Sequence, residues 1–76
     1  MNKIQDYKNE ILRNCYANYQ RTGIAKYEFI FEYKKEARTA IEELHDEGLI
    51  KSTDMAIGMA YPILTEYGVE FCEENF

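Results

Sequence analysis

Residues 27–50, YEFIFEYKKEARTAIEELHDEGLI, constrain the fold more than any other stretch. The second part reads as a helix with a defined stop, predicted over 34–47. Ala37, Ala40, Ile41 and Leu44 recur at three- and four-residue steps. Gly48 follows as a residue free to take left-handed backbone, and Leu49 is placed to fold back on Leu44. The first part, YEFIFEY, fits two periods. In steps of two, Tyr27, Phe29, Phe31 and Tyr33 share one face with Glu28 and Glu32 on the other, as in a half-buried strand. At helical spacing, Tyr27, Ile30 and Phe31 share a face instead. Aromatics and Ile favour the strand, yet the segment lies between two helices with no hairpin partner beside it. As a helix it would complete a helix-turn-helix; as a strand it would not.

On the N-terminal side, residues 3–20 read as an amphipathic helix. Ile4, Tyr7, Ile11, Leu12, Cys15, Tyr16 and Tyr19 form its apolar stripe, and Thr22-Gly23 ends it. Beyond Gly48 the period shortens to two. Met55, Ile57, Met59, Tyr61 and Ile63 alternate, which predicts strands over about 50–56 and 59–64 joined at Ala56-Ile57-Gly58. Pro62 lacks an amide donor, so its strand is expected at an edge or bulged. Thr65 is placed to cap a last helix. Gly68 weakens that helix by about 1 kcal/mol relative to Ala, which implies that a backbone or ring presses close.

Seventy-six residues make one domain over 1–76, too small to bury much completely. Its seven tyrosines are therefore expected at the margin of the core. The opening MNKIQDYKNE has no apolar run after its charges, and no window approaches a membrane span. A cytoplasmic setting is expected, with Cys15 and Cys72 as buried thiols. The net charge of −5 does not advertise nucleic-acid binding, but it is uneven. Residues 1–40 carry eight Lys and Arg against five acids, whereas 41–76 carry only Lys51 against nine.

Enzymatic readings find little purchase. The one histidine, His45, lies between Leu44 and Asp46, with no Cys or second His at metal-ligand spacing. Ser52, the one serine, has no indicated relation to it. There is no glycine-rich phosphate loop. The expectation is a chain with no catalytic role, cofactor or metal.

EARTAIEELHDEGLIKS, followed by a turn and AYPILTEYGVEFCEENF, resembles the latter part of a winged helix-turn-helix domain. The "Leu, three polar, Gly-Leu-Ile" stop of a recognition helix corresponds to Leu44 through Ile50. The "Leu-Thr-Glu-x-Gly-x-x-Phe" opening of the final helix corresponds to LTEYGVEF, residues 64–71. The resemblance covers about residues 36–74, half of the chain. Size and the ending VEFCEENF look most like the YjcQ-like proteins of phages and prophages. The resemblance implies a short helix over 26–32 and a mainly α fold with a two-stranded β wing, in the order α-α-α-β-β-α. It also implies a small, transcription-regulator-like protein that binds double-stranded DNA.

Carried onto this sequence, the recognition face holds Lys34, Lys35, Arg38, Thr39 and Glu42, with Lys51 at the base of the wing. Lys34 and Lys35 stand where the helix macrodipole disfavours cations, so either an external anion or neighbouring Glu32 and Glu36 must offset them. The sequence departs from a DNA binder in two respects. The wing tip DMAIGMAY has no Lys or Arg, and Glu42, Glu43, Asp46 and Glu47 make the second half of the helix acidic. A dimer would then be needed for useful affinity. The apolar wing residues Met55, Ile57, Met59 and Tyr61 suggest a competing role, an acidic protein-interaction module such as a phage factor docking on a host protein, or a homodimer.

Overall fold

In the computed structural model, which describes residues 2–32, 34–51, 55, 56 and 58–76, the chain enters a helix at once. The Asn2 side-chain oxygen accepts from the Gln5 amide at 3.2 Å and satisfies a first-turn donor. This helix, α1, spans Lys3–Thr22 and ends as expected, with Gly23 at φ 82°. Ile11, Leu12 and Cys15 form its buried stripe, while Tyr7 and Tyr16 pack at the margin.

Residues 26–32 depart from the expected helix. Phe29–Ile30 form strand β1, antiparallel to β3, Met59–Ala60, with Phe29 opposite Ala60 and Ile30 opposite Met59. Pairing extends on both sides. Lys26 bridges to Ile63, the Tyr27 amide donates to the Pro62 carbonyl at 3.1 Å, and the Phe31 amide donates to the Gly58 carbonyl at 2.9 Å. The reason is visible in burial: Phe29 and Phe31 are both inside, whereas Glu28, Ile30 and Glu32 are exposed. On a helix the two rings would stand about 200° apart and could not enter one core. Their strand partner comes from much later in the chain, so the missing hairpin neighbour was no obstacle. Tyr33 lies outside the described residues.

Among the described residues no short helix stands between α1 and the next helix, so the expected helix-turn-helix is not formed there. Helix α2 spans Lys35–Asp46 and buries Ala37, Ala40, Ile41 and Leu44. It stops as expected. Gly48 takes φ 77°, and the Leu49 amide donates to the Leu44 carbonyl at 3.0 Å. Strand β2, Met55–Ala56, pairs with β3, giving a three-stranded antiparallel sheet in the order β1-β3-β2. The element order is thus α-β-α-β-β-α, which corrects α-α-α-β-β-α. The two-stranded antiparallel element and the mainly helical character are present.

Among the described residues the regular hairpin strands are Met55–Ala56 and Met59–Ala60, inside the expected 50–56 and 59–64, and residues 52–54 lie outside the described residues. Below them an isolated bridge joins Ile50 to Leu64, and the Lys51 amide donates to the Ile63 carbonyl at 2.8 Å. Pro62 was expected on an edge or bulged strand, but β3 is the central strand. The regular ladder stops at Ala60, before the missing donor would interrupt it. Helix α3, Glu66–Asn75, begins at Thr65, whose Oγ1 accepts from the Gly68 amide at 2.9 Å. The close approach at Gly68 is real: a Cβ there would collide with the Leu49 carbonyl oxygen.

Helices α1 and α2 are tied by a contact that sequence inspection did not single out. Lys8, only 9 % exposed, reaches Glu43 at 3.3 Å and Glu47 at 2.9 Å. Burial opposes its charge, but the two carboxylates outweigh burial and raise its pKa above 10.5. The ion pairs therefore contribute stability that is complete below pH 10.5 and lost as pH rises through the higher folded-state value. Both glutamates are half-exposed, so we expect Lys8→Met to lose only about 1 kcal/mol at pH 7. Urea melts of the two proteins should converge above the folded-state pKa. An equal gap at both pH values would show that Lys8 acts through packing alone.

One core joins all three helices and the inner sheet face. Cys15 and Cys72 lie in it as free, completely buried thiols. Burial pushes Cys15 up to about 12, aided by Cys72 nearby, and pushes Cys72 up to about 11. No helix among the described residues is long and apolar enough to cross a membrane.

Candidate interaction surfaces

Helix α2 turns Lys35, Arg38 and Glu42 to solvent because its apolar stripe faces the opposite way, into the core. Lys34 precedes it as an exposed N-cap whose side chain makes no capping hydrogen bond. Thr39 is half-buried. Among the described residues, no ion pair joins Lys34, Lys35 or Arg38 to a carboxylate. Glu32 and Glu36 thus do not pair with these lysines. The acidic half of the helix is also less repulsive than its sequence suggested, since Glu43 and Glu47 turn toward Lys8. Glu42 and Asp46 remain exposed.

Lys51 does not join this ridge. Helix α2 has 12 residues, so it is about 18 Å long, and the chain reaches Lys51 from its far end. There Lys51 borders a shallow depression shared with Glu66, Glu70 and Glu73 of α3. The cationic cluster therefore comprises three side chains at the start of one helix.

A second surface comes from the strand pairing. Residues directly opposite in an antiparallel ladder share a face. Phe29 and Ala60 point inward and are buried. Ile30 and Met59 therefore share the outward face, where Ile30 is 60 % exposed and Met59 half-buried. Tyr61 follows Met59 two residues on and lies half-buried with the Lys26 ammonium 5.2 Å from its ring centre. Ile24, 62 % exposed, borders the same depression as Tyr61, Lys26 and Glu28. The outward side of the sheet is thus an apolar strip with charges at its margin.

Of the four wing residues singled out in the sequence, Met59 and Tyr61 contribute to this strip. Met55 pairs with Ala60, and Ile57 lies outside the described residues, as does Ser52. Ile24 and Ile30 were missed. Alternation through YEFIFEY would have placed Ile30 outward with Glu28 and Glu32, had that segment been taken as a strand.

A larger concavity of about 630 Å³ opens between α1 and α3, bordered by Leu12, Leu49, Tyr67, Phe71 and Phe76. Lys8, which also borders it, is held by Glu43 and Glu47. His45 is exposed, with Nδ1 4.0 Å from the Asp46 carboxylate. Among the described residues, no group of three His, Cys, Asp or Glu side chains could hold a metal ion. Compared with known proteins, the chain matches no family model, no curated protein and no solved structure. The resemblance therefore holds at the level of architecture, a small, mainly helical domain with an antiparallel hairpin.

Proposed function

We propose that this chain is a non-catalytic protein-contact module whose working surface is the outward face of its sheet. The observation that carries this reading is Ile30, a large apolar side chain left 60 % exposed opposite Met59. Tyr61 and Ile24 extend the strip, and aromatic and Met side chains supply adaptable contact area. In this reading the helices and hairpin keep the outline of a winged-helix scaffold. Contact has moved from a recognition helix to the sheet. A cytoplasmic phage-derived factor docking on a host protein is a setting that such a surface suits.

A second reading, binding to double-stranded DNA, draws on Lys34, Lys35 and Arg38, which no carboxylate among the described residues pairs. It has lost the preceding helix that would brace a recognition helix against the backbone. It has also lost Lys51 from the patch. Three phosphate contacts give a salt slope of roughly −2.7, about a 40-fold loss between 50 and 200 mM salt. That is a weak foundation on a chain of net charge −5.

Two measurements separate these readings. We expect duplex DNA at low salt to leave the amides of residues 34–39 unmoved. We expect a photo-crosslinking phenylalanine analogue at position 61 to capture a discrete protein in the cell of origin, and Ile30→Lys to abolish that capture while the circular dichroism stays unchanged. Amide shifts at 34–39 that fade with salt, together with no capture at position 61, would reverse the order of the two readings.

A further inference from the structure

The inward-facing amides of the β1 segment belong to Tyr27, Phe29 and Phe31, which pair with Pro62, Ala60 and Gly58. By alternation, the N–H and C=O groups of Glu28 and Ile30 point away from β3, across the open edge of the sheet. Among the described residues, no hydrogen bond involves the Glu28 backbone, and because Tyr27, Phe29 and Phe31 spend their groups on β3, alternation leaves those of Ile30 on the same open side. At Lys26 the edge is already closed, because its carbonyl accepts from Asn18 Nδ2 at 2.7 Å. At Glu32 the chain turns, with φ 48°. The open edge is thus Glu28-Phe29-Ile30, flanked by a cation at Lys26 and an anion at Glu32. Such an edge is a template for another strand.

We infer that the free edge of β1 pairs antiparallel with the same edge of a second copy, joining the two sheets into one. This rests on the protein-contact reading and names its partner. Two-fold pairing centred on Phe29 sets Glu28 opposite Ile30 of the other copy, so all four outward N–H and C=O groups bond reciprocally. It also sets Lys26 opposite Glu32 at both ends. Neighbouring registers are worse. Centring on Ile30 runs the pairing into the turn at Glu32 and brings Glu28 toward that second acid, and centring on Glu28 sets two glutamates face to face. Charge and hydrogen bonding therefore select the same register, with a second copy as its occupant. The paired sheet joins the two apolar strips that flank the edge.

Sedimentation equilibrium and amide exchange test this on the full chain. The mass should rise from 9.0 kDa toward twice that value with concentration. The Glu28 and Ile30 amides should exchange at least about tenfold more slowly in the concentrated sample. Glu28→Pro, which removes an outward donor and leaves the inner ladder intact, should hold the chain at the monomer mass. Lys26→Glu should weaken association, and adding Glu32→Lys should restore it. The proposal fails if the mass stays at 9.0 kDa throughout. It also fails if a dimer ignores both Glu28→Pro and the charge exchange. A monomer whose position 61 still captures a different protein sinks self-pairing but leaves the protein-contact reading standing. A monomer that captures nothing removes both.

Discussion

Phe29→Ala should destabilise the chain by about 3–5 kcal/mol, whereas Ile30→Ala, one residue on, should change stability by no more than about 0.5 kcal/mol. Phe29 is 1 % exposed and lies within 5.9 Å of the Tyr7 ring, 6.1 Å of the Tyr27 ring and 5.8 Å of the Phe31 ring, measured between ring centres. Removing it opens a ring-sized cavity where α1 meets the sheet and forfeits the aromatic contacts. A domain of this size has a total stability near the lower end of about 5–15 kcal/mol. Phe29→Ala is therefore expected to be largely unfolded at growth temperature, with no cooperative thermal transition by circular dichroism. Ile30 projects to the other side and touches solvent. The contrast between adjacent residues is the signature of period-two burial. Equal losses at both positions would mean that 27–31 is not a strand, and the outward apolar face would go with it.

Gly68→Ala should destabilise by about 3 kcal/mol, a fall in Tm on the order of 15 °C. Helix propensity alone predicts the opposite sign, a gain of about 1 kcal/mol for Ala over Gly inside a helix. Overlap decides the outcome. The added methyl would collide with the Leu49 carbonyl oxygen and crowd a Leu64 methyl carbon at 3.2 Å. The Leu49 carbonyl cannot simply move aside, because it accepts from the Thr65 amide at 3.1 Å. The Gly48 carbonyl alongside accepts from the Thr65 hydroxyl. The substitution therefore pushes apart the end of α2 and the start of α3 together. A melting temperature equal to or above the parent's would show that α3 slides to make room.

Much of the fold was legible because local chemistry and global packing agreed. Gly23 and Gly48 stop their helices, Thr65 caps the last one, and Ala37, Ala40, Ile41 and Leu44 face the core as their spacing required. What was misread is the segment whose partner is distant. YEFIFEY carries strand propensity, but the residues it pairs with, Gly58 through Ile63, follow a whole helix later. Nothing local reveals that pairing, and the family resemblance pulled toward the helix. The surface was harder still. Lys8 reads as one more cation on a polar face, yet it sits between two glutamates from the far side of the chain. The cationic start of α2 was legible as residues, but its separation from Lys51 depended on where the hairpin base falls.

The two interior sulfurs provide a clock for opening. Closed, the chain presents no thiolate, because each thiol is sealed from water and its ionisation is displaced well above neutrality. A thiol-selective reagent therefore waits until α1 and α3 part, and the pace of labelling then reports how often they do. A cysteine introduced at an exposed site would react without that delay, so surface tags and opening events can be timed in a single tube with both native cysteines left in place.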